Sequence, residues 1–270
     1  MRQTVVAPLW TTVGWLVVAA ALVPPRESPA ETVAWYRFEE GVGKESMAGV
    51  GAVRDSSGNR LHGTCASTGG AIFTQAIAPF GDGALGVVGR DGWVFVPDSP
   101  KLALTGSLTV EAFVHIRRFQ TDGVANFIVF RGDNRSGMDA YWLALDPWRE
   151  TLHFGLEGQG GAPGDPPARV STRFRRYLGE TVHVAGVLDD EAGVLRLYVN
   201  GRLKDSQETR VRPRAELHPL YQPGLGIGGF FAGPAPASFC VDGIVDEVRI
   251  SDTALGPDEL LCAREEDPED

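Results

Sequence analysis

Apolar residues in this chain recur at every second position over short runs, and Gly, Pro, Asn or Asp ends each run before a helical repeat can build. Side chains of a strand alternate between two faces, so this period marks half-buried strands and leaves little room for helix. Within residues 108–116, Val110, Ala112, Val114 and Ile116 point one way while Thr109, Glu111 and His115 point the other, as a sandwich strand with one wet face requires. The same pattern predicts strands over residues 33–38, 84–88, 93–96, 127–130, 141–145, 152–156, 182–188, 194–199, 225–229 and 244–250. Leu195 to Val199 runs directly into Asn200-Gly201, the pair best suited to a two-residue hairpin. A helix is expected only over residues 257–264, where Gly256, an early Pro and following acids form a start signal. Gly and Pro dominate residues 157–169, which read as a surface loop.

The chain has 270 residues, a size that one large sandwich or two small domains could fill, and no internal repeat or linker argues for two. With 43% hydrophobic residues there is ample material for a core, and 34 Gly with 18 Pro suit many short strands joined by turns. The net charge of −10, without a Lys/Arg stripe, argues against nucleic acid and anionic membranes as partners. At the start, Arg2 precedes an apolar run over residues 13–23, followed by Pro24-Pro25 and the small residues of Ser28-Pro29-Ala30. The run is short for a spanning helix and reads as a signal peptide over residues 1–30, with an uncleaved anchor as the alternative. Either way the domain, residues 31–262, is expected to be exported, secreted or held in the cell envelope. Residues 263–270 read as an acidic, disordered tail.

The motifs Trp35-Tyr36-Arg37-Phe38-Glu39-Glu40-Gly41, Asp55-Ser56-Ser57-Gly58-Asn59 with His62-Gly63-Thr64, Leu108 to Val114, His183-Val184-Ala185-Gly186-Val187, Leu197 to Gly201 and Asp246-Glu247-Val248-Arg249-Ile250 follow one another along the chain. In order and spacing, across roughly residues 33–262, the set resembles the laminin-G-like branch of the concanavalin A-like lectins and glucanases. That resemblance implies an all-β, two-sheet antiparallel jelly-roll sandwich whose first and last strands are neighbours. It implies a non-catalytic module that binds glycan or a glycosylated or cell-surface protein, against the alternative of a structural or adhesive domain without sugar specificity. One departure is Thr181, which stands two residues before His183 where the family usually has Trp.

A hard cation such as Ca²⁺ wants six to eight oxygens, and a Gly-containing turn can supply carboxylate, amide and backbone oxygens together. Asp55 and Asn59 are placed for that role. By the resemblance the closing strand lies beside the turn, so Asp246 would add a carboxylate and Glu39 or Glu40 a further one, giving a structural calcium. The competing reading is a plain turn whose side chains bond their own backbone. The three cysteines cannot all pair within the chain, and the neighbouring first and last strands implied by the resemblance favour Cys65 with Cys240.

Glucanases of this architecture cleave with two carboxylates placed on one strand face by skipping a residue. No such run occurs here, Asp246 and Glu247 are adjacent, and the histidines lack metal or triad spacing, so catalysis is not expected. Sugars stack on exposed rings. Trp148 with Arg149 in one loop and Tyr221 in another are therefore the candidate ligand contacts. Arg131-Gly132-Asp133 matches an integrin-type tripeptide, a short match that chance produces often.

Overall fold

The computed structural model describes residues 31–41, 51–65, 71–87, 92–135, 138–159, 167–230 and 239–263. The expected signal segment lies outside them, as does the expected tail from residue 264 onward.

Period-two runs become strands throughout. In chain order these are β1 (Thr32–Tyr36), β2 (Thr64–Cys65), β3 (Ala71–Gln75), β4 (Gly83–Val87), β5 (Val94–Pro97) and β6 (Leu108–Arg118). Next come β7 (Asn126–Gly132), β8 (Asp139–Asp146), β9 (Thr151–Leu156), β10 (Gly158–Gln159), β11 (Ala168–Arg173) and β12 (Thr181–Asp189). The chain closes with β13 (Val194–Val199), β14 (Arg202–Glu208), β15 (Arg212–Pro213), β16 (Gly224–Ile227) and β17 (Asp242–Ser251). Two antiparallel sheets result. The eight-stranded sheet runs β14-β13-β12-β6-β17-β4-β3, with β1 also paired to β17, and the seven-stranded sheet runs β11-β9-β8-β7-β16-β5-β2. Tyr36 opposite Val248 and Trp35 opposite Arg249 make the first and last strands neighbours, as expected.

The inward faces interlock into one core. Val110, Val114 and Ile116 of β6 meet a layer containing Leu143 and Leu145 of β8, Phe154 of β9 and Leu225 of β16, all without solvent exposure. Asn200 and Gly201 both take positive φ, 49° and 67°, so the β13–β14 connection is the hairpin turn that Asn-Gly specifies.

Three expectations need correction. The wet face predicted for β6 is dry at Thr109 and Glu111, which have no exposure because the segment after β17 folds back over them, while His115 further along stays partly exposed. Thr109 Oγ1 donates to the Thr253 carbonyl at 2.7 Å and accepts the Leu255 amide at 3.0 Å, while Leu255 and Leu260 pack on Ala185, Val187 and Tyr198. That same segment is not the expected helix. It forms turns and a short 3-10 turn, Leu261–Ala263, because the Leu261 amide donates to Glu111 at 2.8 Å and the Glu259 carbonyl accepts from Arg249 at 2.8 Å, which takes both groups out of a helical ladder. The expected loop over 157–169 opens with β10, paired to β15, and ends in β11, while residues 160–166 lie outside the described ones.

Glu111 is the hub of that covered face. Its carboxylate accepts from Arg249 Nε at 2.6 Å, lies 2.8 Å from His183 Nε2 and takes the Leu261 amide. Burial works to raise this carboxyl, and the hydrogen bond and charge of His183, with Arg249 and Leu261, outweigh it and hold the group below its ordinary value. Glu111→Ala strands the buried Arg249 guanidinium without its counter-charge, and the expected loss of stability is about 3–5 kcal/mol, read from urea unfolding midpoints.

Candidate functional site

The turn Asp55 to Asn59 lies along β1 and supplies the partners that a neighbouring strand would supply. Asn59 Nδ2 donates to the Val33 carbonyl at 3.0 Å, with Ser57 Oγ 3.1 Å from the same oxygen, and the Ser56 amide donates to the Trp35 carbonyl at 2.8 Å. Asp55 accepts four donors, the amides of Trp35, Ser57 and Leu61 and the hydroxyl of Ser57, at 2.8–3.0 Å. Asn59 Oδ1 accepts from Lys101. These side chains satisfy an exposed strand edge.

The other proposed calcium ligands are committed elsewhere. Asp246 accepts the amides of Ile77 and Ala78 at 2.9 and 3.0 Å and that of Glu247 at 2.7 Å, and Glu39 accepts the Asp82 amide at 2.9 Å. Asp246 and Glu247 do not alternate as on a regular strand. A register shift between Asp246 and Arg249, with Glu247 at φ 49°, buries both side chains, Asp246 under the β3–β4 turn and Glu247 on Trp35 Nε1 and Arg37. Burial raises Asp246 to about 7 despite its amide donors, and Glu247 adds to the rise. Asp55, Asn59, Asp246 and Glu39 are thus each bonded to protein partners, and among the described residues no group of three or more His, Cys, Asp or Glu could hold a metal ion.

Cys65 ends β2 opposite Val94, Cys240 lies beside Gly229 and bridges to Phe127, and both pack against the main core. Thr181, at the position where Trp was expected, begins β12 exposed and opposite His115. Arg131 is fully buried, bound to Asp98 and to the carbonyls of Arg214 and Ala215. The tripeptide it begins is therefore not displayed.

The candidate ligand residues separate to opposite ends of the seven-stranded sheet. Trp148 and Arg149 sit in the β8–β9 turn, whereas Tyr221 lies beside the β7–β8 connection, where the Asn134 amide donates to its carbonyl at 3.0 Å and Arg135 lies 5.1 Å over its ring. Asp146 builds the first site. It accepts the amides of Trp148 and Arg149 at 3.0 and 2.9 Å and the Arg149 guanidinium at 2.9 Å, which turns the Trp148 ring out to 68% exposure. Burial works against the Asp146 charge, and the Arg149 and Trp148 donors hold its carboxyl below the ordinary range all the same.

The outer face of this sheet has two halves. Over β5, β7 and β16 it is paved with rings, Trp93, Phe127 and Phe130, and Phe230 and Phe239 lie on top of them. Gly226 permits the Phe230 ring to lie against the sheet, since a Cβ there would come within 3.0 Å of it. Over β8, β9 and β11 the face is polar, in three cross-strand rows: Trp142, Gly155, Arg169; then Ala144, His153, Ser171; then Asp146, Thr151, Arg173. A Cβ on Gly155 would stand 2.2 Å from the Trp142 indole, so Gly at this position lets that ring lie flat beside the polar rows. Arg169, Ser171 and Arg173 are exposed. Burial holds His153 at about 4, helped by Arg169 and Arg149 against Asp146, so it is a neutral imidazole at physiological pH. Arg169 and Arg173 escaped the reading of the sequence because the expected loop took in Ala168 and Arg169 and no strand was expected over 170–173, although the alternation Ala168-Arg169-Val170-Ser171-Thr172-Arg173 carried the signal.

Comparison with known proteins agrees with the fold. A laminin-G family model, described as the concanavalin A-like lectin/glucanases superfamily, matches residues 88–261. No curated protein sequence matches the chain. Among solved structures, the botulinum neurotoxin serotype D binding domain superposes with a TM-score of 0.60 at 11% identity over 86% of this chain and 51% of its own. The binding domain of botulinum neurotoxin DC in complex with SialylT gives 0.56 at 13% identity over 85% and 50%. Domain 4 of AbnA, a GH43 extracellular arabinanase from Geobacillus stearothermophilus, in complex with arabinotriose, gives 0.57 at 20% identity over 87% and 98%. The chain spans about half the length of the toxin binding domains, and at these identities the likeness is one of fold. No helix among the described residues is long and apolar enough to cross a membrane.

Two outcomes are expected of this arrangement. Asp55→Ala removes the acceptor of four protein donors, so stability drops by about 2–4 kcal/mol, and by the same amount in millimolar Ca²⁺ as in chelator, as melting curves in both will show. The unfolded chain binds a proton on His153 near pH 6.5 and the folded chain only near 4, so this residue's contribution is complete above 6.5 and is lost as pH falls toward 4. His153→Gln flattens that acid limb in a stability profile against pH.

Proposed function

Since the chain belongs to the concanavalin A-like lectin/glucanases superfamily, we propose that it is an exported, non-catalytic recognition module that binds glycan on the polar half of its outer sheet face. The observation that carries this reading is the β8–β9 turn, where the Asp146 carboxylate is spent on shaping a loop that holds Trp148 out in solvent beside a guanidinium group. An exposed indole costs apolar surface in water, and a pyranose ring that lays its C–H face on it recovers that cost while nearby polar groups fix orientation. Two domains of similar fold, a toxin binding domain in complex with SialylT and Domain 4 of an arabinanase in complex with arabinotriose, support the reading by analogy of architecture.

The chemistry of the face argues against hydrolysis. Cleavage of a glycosidic bond needs two carboxyl groups, ~5–5.5 Å or ~6.5–9.5 Å apart across the bond. Among the described residues in the three rows, Asp146 alone is a carboxylate, and it is hydrogen-bonded to Arg149 and two amides. A group so held neither donates a proton nor attacks. Export rests on the N-terminal apolar run, and its test is whether the native chain isolated from cells begins at or near Glu31.

Binding is checked by presenting the whole chain to an array of oligosaccharides and titrating the hits by calorimetry. Trp148→Ala should weaken a genuine hit by roughly tenfold with the melting temperature nearly unchanged, because the ring is largely exposed in the folded state. Sugar binding that ignores this substitution, or release of reducing ends by purified protein, would overturn the reading.

A further inference from the structure

Guanidinium groups meet on the outer face of a chain whose net charge is −10. Arg169 and Arg173 stand on one side of the edge strand β11 with Ser171 between them, and Arg149 comes from the neighbouring β8–β9 turn. Four residues along a strand set Arg169 and Arg173 about 13 Å apart, and β8, β9 and β11 together give the patch a width of about 10 Å. Arg169 stands in the row next to that of His153, and Arg149 in the turn that follows Asp146, two positions beyond Ala144, the cross-strand partner of His153. Arg149 is compensated by Asp146, whereas Arg169 and Arg173 form no ion pair among the described residues. The Arg149 side chain is still 71% exposed, so part of its fork faces solvent.

The inventory of hydrogen-bonding groups on this patch is one-sided. Guanidinium groups donate and cannot accept, the Asp146 carboxylate is held by Arg149 and two amides, Asp205 takes the Ser171 amide, and the groups that can do both are the Ser171 and Thr151 hydroxyls and the buried His153 imidazole. A neutral sugar presents hydroxyls that need acceptors as well as donors, and the patch offers few acceptors. A ligand bearing acceptor-only anionic groups fits it instead, because the planar fork of Arg matches a carboxylate or sulfate with two parallel bonds. Burial keeps His153 neutral, so the cationic character resides in the arginines and persists across physiological pH.

We propose that the β8–β9–β11 face selects acidic saccharides, with Trp148 stacking on one ring and Arg169 and Arg173 each receiving a carboxylate or sulfate group of the chain. This inference rests on the glycan-binding reading and specifies its ligand class. Ser171, between the two arginines, is placed for a hydroxyl of the sugar unit that joins the charged groups. The patch, about 13 Å by 10 Å, matches a saccharide of a few units.

The experiment titrates the whole chain at physiological salt with matched pairs: oligogalacturonate against its methyl ester, and a sulfated cello-oligosaccharide against the parent sugar, with a single-stranded oligonucleotide as a further polyanion. Expected is at least tenfold tighter binding of a charged member than of its neutral partner, and the pair that shows it identifies carboxylate or sulfate as the recognised group. Arg169→Gln with Arg173→Gln should erase that preference, while an unchanged melting temperature shows the fold intact, and the double Lys variant should restore only part of it. Equal affinity for charged and neutral partners overturns the acidic preference and leaves glycan recognition standing. Failure of every saccharide to bind overturns both, and tighter binding of the oligonucleotide than of either acidic sugar overturns the saccharide as the ligand.

Discussion

One buried carboxylate ties the sandwich together. Glu111 sits at the centre of the eight-stranded sheet and engages three other parts of the chain: β12 through His183, β17 through Arg249 and the C-terminal segment through the Leu261 amide. A buried ion pair is weak evidence of stability in itself, since desolvation offsets its Coulombic gain. Its worth here lies in specification. A lone carboxylate with no solvent access must find all its donors, and this set is satisfied only when β6, β12 and β17 are in register and the chain end has folded back. Arg249 extends the clasp by donating to the Glu259 carbonyl.

That clasp decides which face of the molecule is left to meet a ligand. Leu255 and Leu260, held by these bonds, cover the outer side of β12 and β13, so the eight-stranded sheet is dry on both faces there. On the seven-stranded sheet, rings from β5 and β7 and the flanking Phe230 and Phe239 close one half. What remains is the polar half over β8, β9 and β11. It lies beside the Trp148 turn, which Asp146 shapes with bonds of the same kind as those of Glu111: a carboxylate taking backbone amides that no strand neighbour can take.

The strands were legible because period two is a local property that packing reinforces. β2, β3, β10, β11, β14 and β15 escaped: four of them are two residues long or lie beside Gly- and Pro-rich sequence, and β14, Arg202–Glu208, is an exposed edge strand with hardly an apolar residue, so that nothing in its composition separates it from a loop. The expected helix failed because its start signal was genuine but its continuation lost a donor and an acceptor to partners far away in sequence, Glu111 and Arg249. The Asp55 motif was legible as a tight turn, yet its role in satisfying the edge of β1 depends on residues more than twenty positions upstream. Trp148 and Tyr221 both read as exposed rings. Sequence could not show that β8, running between their loops, sends them to opposite ends of the sheet.

A cationic patch on an acidic protein is electrostatically coherent because the two charges act over different ranges. At physiological ionic strength the field of the distant carboxylates is screened beyond about 8 Å, whereas a guanidinium bonded to an anion works at contact, where little solvent intervenes. The net negative charge of the chain then bears on approach more than on residence, because it slows the arrival of any polyanion. A short acidic saccharide meets that repulsion only in transit. On the proposed reading, the net charge of the chain would bear on the approach of a ligand and the arginines of β11 on its residence.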